Sequence, residues 1–561
     1  MSRALALIIY LLTAALFGCF FIFPIAQTLA GAFMVNGRPT LEYVVEVFRN
    51  PLYVEGLRNS FLLGLFGTLA AIGISMPLAW LADRYEFPGK KIFGALVLAP
   101  MILPPFVGAI GIKKIFGQAG ALNAALADLG LVREPIDWLG NGRFWGCVLL
   151  IGLNLYPVLY LNLTAALANI DPAMEEAAEN LGCTGLRKFF KITLPLILPG
   201  LFAGGTIVFI WAFTELGVPL IFEFERVTSV QIFYGLKDIG GSPFPYALVA
   251  VMLTATVLLY AIGRFTLGRG GHAMMPKATT QGGPRRLGWA GGLACTAAFA
   301  AVSFVALLPH VGVTLFAFSQ DWYGTVLPQS FTVANFETAL GHNLTVPSIA
   351  NSLKYAGLAT LIDVFLGVAI AYIIVRTQLP GRKILDTVAM LPLAVPGLVL
   401  AFGYLAMTQE GKTFAFLNPI RNPLPLLVIA YAVRRLPYMV RSAVAGFEQT
   451  SVTLEEAAQS LGCPPLRTLR RITVPLITAN LIAGGLLTFS FAMLEVSDSL
   501  ILAQRQVDYP ITKAIFELFQ LLGDGRAVAA ALGVWAMVFL GFTILVASLV
   551  LGKRLGALFR V

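Results

Sequence analysis

Five charged residues stand inside stretches of the sequence that are otherwise almost wholly apolar. They are Glu215, Glu495, Arg434, Arg435 and Asp498. An ionisable side chain at membrane depth is expensive, so it usually lines the route of a charged solute or pairs with another charge. Carboxylates suit a hard cation, and guanidinium groups suit an anion. These residue types predict transport of a charged solute, and we assign all five to a translocation pathway.

Two interpretations of these charges remain open from the sequence. Glu215 and Glu495 hold equivalent places in the fifth and eleventh apolar segments, and they either line the pathway or accept hydrogen bonds as structural contacts. Arg434 and Arg435 either face a cavity or pair with Asp363 or Glu495. No arrangement of nucleophile and general base and no phosphate-binding loop is recognisable. We therefore expect no enzymatic activity, no catalytic residue and no cofactor in this chain.

Membrane-spanning helices must position these charges. Of the 561 residues, 58% are hydrophobic and 12% are charged, whereas a soluble domain carries about a quarter charged residues. A span requires about 20 apolar residues, and the first candidate is too long for a signal peptide. The sequence predicts an all-α integral membrane protein with about 12 transmembrane helices. Their predicted positions are residues 4–32, 60–82, 92–114, 145–168, 199–221, 246–267, 289–318, 353–375, 384–407, 425–447, 479–502 and 527–551.

Prolines are expected to interrupt the third and ninth of these segments. Pro100, Pro104 and Pro105 lie in one, and Pro392 and Pro396 lie in the other. Backbone carbonyls that a kink leaves free are tolerated only where they face protein or a wet cavity. Such breaks suit a gate, and they equally suit packing alone.

One polar segment occurs twice in the chain. Residues 175–197 read EEAAENLGCTGLRKFFKITLPLI and residues 455–477 read EEAAQSLGCPPLRTLRRITVPLI, with 14 of 23 aligned positions identical. Other residues recur around it, and Arg84 returns as Arg376 at an offset of 292. The chain therefore contains two parallel six-helix repeats, related by an axis along the membrane normal. We divide it into a first six-helix domain at 1–267, a cytoplasmic linker at 268–288 and a second six-helix domain at 289–561.

Each copy of this segment is expected to form a helix, a turn and a second short helix. Asp171 and Ser451 are suitable N-caps, and Gly182 and Gly462 can adopt the left-handed conformation that ends a helix. The alanine pairs between these points predict a low-relief helix face that fits a groove of a partner. The alternative is an amphipathic helix lying on lipid headgroups, which the acidic residues disfavour. The residues assigned to the docking surface are Glu175, Glu176, Ala177, Ala178, Gly182, Pro195, Glu455, Glu456, Ala457, Ala458, Gly462 and Pro475.

The pattern Glu-Ala-Ala, three residues, Gly, and a downstream Ile-Thr-x-Pro resembles the EAA motif of ABC importer permease subunits. It stands here at residues 176–195 and again at 456–475. In that family the loop is a coupling helix that docks on a separate cytoplasmic ATPase. The resemblance implies the type I importer permease fold, two ATPase subunits that hydrolyse ATP, and a periplasmic or lipid-anchored solute-binding protein. The fused twelve-span form looks like the branch that carries ferric iron, thiamine or aminoethylphosphonate.

The charge distribution predicts the orientation of the chain. Basic residues are denser on the side that carries the repeated loops, and the positive-inside rule places that side and both termini in the cytoplasm. We expect a multi-pass protein of the bacterial inner membrane. The net charge of +10 fits this arrangement better than nucleic-acid binding. The five cysteines and three histidines show no metal-ligand spacing, so no metal site is expected.

The residues do not decide which solute is carried. Carboxylates suit ferric iron and tolerate cationic thiamine, whereas arginines suit a phosphonate. Because ferric iron is frequent in the branch that the chain resembles, it is our leading hypothesis, with thiamine, 2-aminoethylphosphonate or a polyamine as alternatives. The rival class is an ion-coupled secondary transporter that would use Glu215, Glu495 or Asp363. Such a carrier has no need of two repeated polar loops.

Overall fold

Helices make up nearly all of the regular structure in the computed structural model, which describes residues 3–35, 37–140, 143–236, 242–267, 285–521 and 523–551. The helices before the predicted linker are α1 (Arg3–Phe17), α2 (Phe23–Phe33), α3 (Glu42–Arg49), α4 (Pro51–Arg84), α5 (Lys90–Leu96), α6 (Pro105–Phe116), α7 (Ala121–Asp128), α8 (Phe144–Ala168), α9 (Pro172–Asn180), α10 (Gly185–Lys188), α11 (Leu194–Phe213), α12 (Gly217–Phe222), α13 (Thr228–Gly235) and α14 (Phe244–Leu267). Those after it are α15 (Trp289–Ala317), α16 (Ala334–Gly341), α17 (Thr345–Arg376), α18 (Arg382–Met390), α19 (Gly397–Met407), α20 (Leu424–Gln449), α21 (Val452–Ser460), α22 (Pro465–Thr468), α23 (Val474–Met493), α24 (Ser497–Leu502), α25 (Ile511–Gln520) and α26 (Gly525–Leu551).

The remaining regular segments are short. π-Helical turns occupy Gly18–Ile22, Phe189–Thr193 and Leu469–Thr473, and 3₁₀ turns occupy Ala99–Ile102, Leu391–Leu393, Ala415–Leu417 and Gln506–Asp508. The strands are β1 (Met34–Val35), β2 (Arg38–Pro39), β3 (Tyr85–Glu86), β4 (Arg285–Arg286), β5 (Ser319–Asp321) and β6 (Ser330–Phe331). They pair as antiparallel β1–β2, parallel β3–β4 and antiparallel β5–β6.

The described residues contain nine helical segments long and apolar enough to cross a membrane. Two further spans are broken pairs of helices, bent by 99° between Lys90–Ile102 and Pro105–Asp128 and by 96° between Arg382–Leu393 and Gly397–Met407. The 26 residues of α20 reach about 39 Å, which is enough to span, but its arginines make it less apolar. With α20, these segments account for the twelve predicted ones. The predicted all-α membrane fold is confirmed.

Both predicted proline breaks are confirmed. Pro104 and Pro396 are the N-caps of α6 and α19, with extended ψ angles of 131° and 136°. In this conformation the backbone at each proline does not continue the preceding helix. Each span therefore turns sharply there. The two repeats therefore share a bent third span.

Packing divides the chain into two compact units. Among the described residues, the first-repeat unit comprises those within 55–230 and 254–334, and the second-repeat unit those within 3–54, 231–253 and 335–551. These units do not follow the predicted domain boundaries, because the first helices of each sequence half cluster with the other half. Residues 268–284 of the predicted linker lie outside the described residues. The sequence repeats and the compact units are thus different divisions of one chain.

Two equivalent glycines explain how each exchanged helix fits its unit. In the first-repeat unit, Gly111 of α6 lies against the backbone of Pro309 in α15. In the second-repeat unit, Gly403 of α19 lies against the backbone of Pro24 in α2. A Cβ atom at either glycine would collide with main-chain atoms, so only glycine allows these helix pairs to approach so closely.

Two glycine pairs recur in the fifth span of each repeat, and only the first glycine of each pair makes a close helix contact. Gly204 of α11 has no room for a Cβ beside Leu159 of α8, whereas the neighbouring Gly205 faces open space. In the second repeat, Gly484 of α23 is similarly tight against Ser442, and Gly485 has only ordinary contacts. The first glycine of each pair therefore sets the spacing between the fourth and fifth spans of its repeat.

Candidate functional site: two repeated loops and a buried charge cluster

The first helix of each repeated loop is capped as the sequence predicts. The first repeated loop (residues 171–195) begins at Asp171, whose Oδ1 accepts a hydrogen bond from the Ala173 amide at 3.0 Å. The second repeated loop (residues 451–475) begins at Ser451, whose Oγ accepts one from the Thr453 amide at 3.3 Å. Each side chain satisfies an amide that the helix leaves free, so α9 and α21 start at equivalent positions.

Gly182 and Gly462 end these helices by adopting the left-handed conformation, with φ of +76° and +85°. The next residue closes the turn, because the Cys183 amide donates to the Ala178 carbonyl at 2.9 Å and the Cys463 amide to the Ala458 carbonyl at 3.0 Å. No atom lies within 4 Å of a Cβ built on either glycine. The backbone angle, and not a lack of space, is what requires glycine here.

The first glutamate of each motif points into the protein and not toward a partner. Glu175 and Glu455 are both only 5% exposed. Glu175 is held by Arg84 and by the Thr193 hydroxyl, which donates to it at 2.7 Å. Glu455 accepts from the Arg376 Nε at 3.0 Å. Both are therefore anchor residues of the loop.

The two anchoring arginines connect the loops to membrane-spanning helices. Arg84 is the last residue of α4 and Arg376 the last residue of α17. Arg376 also donates to the carbonyls of Phe447 at 2.8 Å and Thr450 at 2.6 Å, at the end of α20. One guanidinium thus joins the loop to two spans. The recurrence of Arg84 as Arg376 was visible in the sequence, but it did not reveal this role.

The predicted alanine face is split between the two sides of each loop helix. Ala178 and Ala458 are buried with the anchoring glutamates, whereas Ala177 and Ala457 are exposed. Because the second alanine of each pair is buried, only Ala177 and Ala457 stand at the exposed surface of the loops. Docking at these loops stays a prediction. The residues that do share the exposed side are Glu176, Ala177, Leu181, Glu456, Ala457 and Leu461.

The exposed leucines next to the glycines are the most prominent apolar groups of the loops. Leu181 is 87% exposed and Leu461 is 89% exposed. The sequence pattern indicated only that these leucines lie at the C-terminal end of each loop helix. After each leucine, the loop continues through a π-helical turn into the next spanning helix. The first turn of that helix contains Pro195 in one repeat and Pro475 in the other. A rigid turn therefore links each exposed leucine to a membrane helix.

The surroundings of the first loop carry more charge than those of the second. Lys188 donates to Glu179 at 2.6 Å. That hydrogen bond and the charge of Lys188 lower the pKa of Glu179, with smaller contributions from Arg84 and Arg285. The second loop has Gln459 and Thr468 at the places of Glu179 and Lys188, and its Thr473 hydroxyl has no hydrogen-bond partner among the described residues.

Four of the five predicted pathway residues form one buried cluster in the second-repeat unit. Glu495 accepts from Arg434 Nη1 at 2.5 Å and is also ion-paired with Arg435. Asp498 accepts from Arg434 at 3.1 Å. Glu495 and Asp498 are both buried. Of the alternatives left open for the arginines, the structure shows pairing with Glu495.

A glycine at the start of α19 makes room for this cluster. Gly397 lies directly against the guanidinium of Arg434, and a Cβ there would collide with it. In the first-repeat unit Asn154 stands at the place of Arg434 and donates to the Pro100 carbonyl at 3.1 Å. A small pocket adjoins it, lined by Pro104, His310 and neighbouring side chains. The same corner of the two bent spans thus holds a charge in one unit and a neutral amide beside a small pocket in the other.

Glu215, the fifth predicted pathway residue, has different surroundings from Glu495. Its side chain is half-buried and accepts from the Val218 amide at 3.2 Å, while its carbonyl accepts from the Ser229 hydroxyl at 2.6 Å. Leu155 and Val218 replace Arg435 and Asp498 in this repeat. Within the described residues, no group of three or more His, Cys, Asp or Glu side chains is placed to hold a metal ion.

One ion-pair cluster was not predicted. Glu223 accepts from Lys113 at 2.9 Å and from Arg143 at 2.8 Å. Burial alone would raise the pKa of Glu223, but the hydrogen bonds and charges of Arg143 and Lys113 outweigh it and hold the pKa at about 2. Arg143 and Glu223 both adopt left-handed φ angles of 63° and 58°. No motif or repeat marks these residues in the sequence.

A multi-spanning helical chain with duplicated polar loops anchored to its spans has the architecture of a membrane permease. The family model for the inner membrane component of binding-protein-dependent transport systems matches it twice, at residues 71–269 and 363–552. The chain belongs to this family. It is a multi-pass inner-membrane permease of the ABC importer class, and the predicted duplication is confirmed.

Three relatives illustrate the range of solutes named in this family. A putative ferric transport system permease protein of Haemophilus influenzae is 28% identical over 478 residues, covering 82% of this chain and 70% of the relative. A putative 2-aminoethylphosphonate transport system permease protein of Salmonella paratyphi A is 29% identical, covering 44% of this chain and 82% of the relative. A probable molybdenum ABC transporter permease protein of Haloferax volcanii is 30% identical, covering 38% and 77%.

Proposed function

We propose that this chain is the transmembrane subunit of an ATP-driven importer and that one ATPase subunit docks on each repeated loop. Two equivalent ion pairs carry the proposal, Arg84–Glu175 in the first repeat and Arg376–Glu455 in the second. Each ties an exposed loop helix to the end of a membrane span, so a force applied to the loop reaches the span directly. ATP hydrolysis then belongs to the separate ATPase subunits.

The exposed side of each loop defines the chemistry of the partner. Glu176 and Leu181 in one loop, and Glu456 and Leu461 in the other, present an acidic group beside an apolar one. A groove with an apolar floor and a basic rim would accept this surface. ATP binding and hydrolysis in the docked subunits would drive both repeats between inward and outward access.

The remaining partners follow from this orientation. The basic residues near the repeated loops favour a cytoplasmic position for the loops and for both termini. A solute-binding protein, periplasmic or lipid-anchored, would then deliver the solute to the opposite face. The lipid bilayer surrounds the spans, and no nucleic acid takes part.

Ferric iron is our proposed solute. The arginines of the cluster are neutralised by Glu495 and Asp498, so they do not offer free positive charge to a phosphonate or another anion. Glu215 is a carboxylate with a partly exposed side chain, which suits a hard cation. Of the predicted pathway residues, we therefore assign Glu215 to the route itself. We assign Glu495, Arg434, Arg435 and Asp498 to a structural clamp within the second-repeat unit.

A paired charge reversal tests the docking. In the E176K/E456K variant, both exposed acidic groups become basic and would meet the basic rim of the ATPase groove. We expect the variant to lose co-purification with the ATPase encoded beside it while remaining folded. Glu448→Lys changes an exposed glutamate of α20 outside the loops and should retain the ATPase. Full retention by E176K/E456K would contradict docking at these loops.

Reconstitution tests the solute. The chain is placed in lipid vesicles with the neighbouring ATPase and binding protein, and ATP hydrolysis is followed with ferric iron, thiamine or aminoethylphosphonate. We expect stimulation only by the binding protein loaded with ferric iron. Stimulation by another solute would correct the substrate and keep the importer. No association with any ATPase would instead favour the ion-coupled transporter.

A further inference from the structure

Asp363 is a buried acid that none of the contacts above explains. It lies in the middle of α17 and is 0% exposed. Neither of its carboxyl oxygens has a hydrogen-bond partner within the part of the chain that the structure describes. Buried polar groups are nearly always hydrogen-bonded, so an unsatisfied carboxyl group inside a membrane protein calls for a physical reason.

Glycine contacts locate Asp363 among the neighbouring helices. α17 and α20 run in the same direction, because their C-terminal ends meet. One turn beyond Asp363, Gly367 packs tightly against Met439, which lies one turn beyond Arg435. Asp363 is therefore level with Arg435 on the adjacent helix. On another side α17 packs against α23, near Gly485.

Arg435 has hydrogen-bonding capacity that complements this deficit. It is ion-paired with Glu495, but its buried Nε has no partner among the described residues. Of the charged groups in the described helices packed against α17, Arg435 is the one that acts electrostatically on Asp363. Beyond it lie Glu495, Arg434 and Asp498, where two positive charges already balance two negative ones.

An ionised Asp363 would add a third negative charge to this cluster with no contact to stabilise it. Burying an unpaired carboxylate is strongly unfavourable, and a group in that position takes up a proton instead. We propose that Asp363 holds a proton in this state and is a second acceptor for Arg435, which exchanges Glu495 for Asp363 when the spans rearrange.

The exchange balances in atoms and charge. The O–H bond of Asp363 breaks, its proton passes to water, and the resulting carboxylate accepts N–H groups of Arg435. Glu495 keeps its hydrogen bond from Arg434, and the reverse step returns one proton to Asp363. The first repeat has Ala71 and Leu155 at the equivalent places, so only one repeat contains this device. The rearrangement itself rests on the proposed importer function, whereas the proton on Asp363 does not.

Infrared spectroscopy of the full chain in lipid vesicles tests the proton directly. At neutral pH we expect the carbonyl band of one protonated carboxyl group in an apolar environment, shifted in heavy water. The D363N variant should lose this band. Its absence from the wild-type chain, or its persistence in D363N, would overturn the proposal.

The exchange is tested by removing the present acceptor of Arg435. In E495Q we expect the Asp363 band to disappear, because Arg435 turns to Asp363 and ionises it. In the E495Q/R435Q double variant the band should return. E215Q, which changes the equivalent glutamate of the other repeat, should keep it. A band that persists in folded E495Q would overturn the exchange.

A second measurement applies if E495Q does not fold. The band is then followed with rising pH in the wild-type chain and in R435Q. In the wild-type chain Arg435 is available as a partner. The band should therefore vanish there at a pH about one unit or more below the pH at which it vanishes in R435Q. Coincident curves would refute the exchange. All of these measurements use the chain alone, so their failure is distinguishable from a failure of ATPase docking or solute transport.

Discussion

Glu175 and Glu455 occupy nearly the same environment in the two repeats, whereas Glu215 and Glu495 do not. Both loop glutamates are buried at the start of a capped helix and paired with the last arginine of the second span of their repeat. Just beyond the ends of α23 and α11, Glu495 is paired with two arginines, while Glu215 accepts from a backbone amide and the equivalent places hold no arginine.

The difference shows which features of this duplicated permease are kept alike in both repeats and which are not. Under the proposed function each loop docks on an ATPase subunit, so both loops must keep the same surface and neither can change alone. The buried charges are not repeated in this way, and four of the five lie in the second-repeat unit. The two bent corners differ in the same way, because Arg434 packs against Gly397 in one and Asn154 adjoins a small pocket in the other.

The largest expected effect is on the stability of the second-repeat unit. In E495Q, Arg434 keeps Asp498 but Arg435 loses Glu495, and its proposed turn to Asp363 requires that buried acid to give up its proton. Breaking a buried pair in this way costs about 3–5 kcal/mol. We expect E495Q to lower the midpoint of detergent-induced unfolding strongly, and E215Q to change it less because the side chain of Glu215 is only half-buried.

The paired variants separate charge from fold. E495Q/R435Q removes both partners of one ion pair and should recover part of the lost stability. Equal destabilisation by E495Q and E215Q would show that the two glutamates are equivalent after all, and that the asymmetry of the cluster has no energetic consequence.

A smaller but still unequal effect is expected at the loop anchors. The side chain of Arg376 is 6% exposed and that of Arg84 is 24% exposed. Because Arg376 also binds two carbonyl groups of α20, R376Q should cost roughly 2–3 kcal/mol. R84Q should cost about 1 kcal/mol. The measurement is the unfolding midpoint of each variant, together with ATP-driven uptake in vesicles.

The two readouts should diverge. Both variants should reduce uptake by a similar factor, because each uncouples one loop from its span, although their stabilities differ. Arg467→Gln changes an exposed arginine of the second loop region that makes no described ion pair and should leave stability unchanged. Uptake that simply followed stability would contradict the role of the anchors in transmitting force.

Much of this arrangement was accessible from the sequence because it rests on local rules. Asp171 and Ser451 cap their helices, Gly182 and Gly462 end them, and Pro104 breaks a span, because these properties depend on a few neighbouring residues. The duplicated motif then showed that the chain is a permease. Tertiary contacts were less accessible.

The direction of each side chain depends on helices that are far away in the sequence. The spacing of the motif could not show that Glu175 faces Arg84 while Glu176 faces outward, since both are equally polar. It also could not choose between Asp363 and Glu495 as the partner of Arg435. The exchange of first helices between the compact units depends on the room that Gly111 and Gly403 provide, and no local pattern reveals it.

A modest and equal effect is expected at the two turn glycines. G182A and G462A each place a Cβ on a backbone with positive φ but meet no neighbouring atom, so the strain is conformational and about 1 kcal/mol. Both should weaken ATPase binding to a similar degree. G205A, in open space within α11, serves as the control and should be neutral or slightly stabilising. A strong effect from only one glycine would break the equivalence of the loops.

The smallest effect concerns Glu223, which belongs to the first-repeat unit. The sequence repeat did not reveal its ion pairs with Lys113 and Arg143. Its pKa is about 2 in the folded chain against an ordinary value of 4.5. A lowered pKa means that the ion pairs stabilise the fold fully above about pH 4.5 and lose this contribution as the pH falls toward 2. Near neutral pH the wild-type chain should therefore have a higher unfolding midpoint than E223Q. This difference should shrink as the pH falls from about 4.5 toward 2. E134Q, which changes an exposed glutamate of the same unit, should follow the wild type throughout. A constant difference between wild type and E223Q would mean that Glu223 acts through packing, because only its charge is lost with acid.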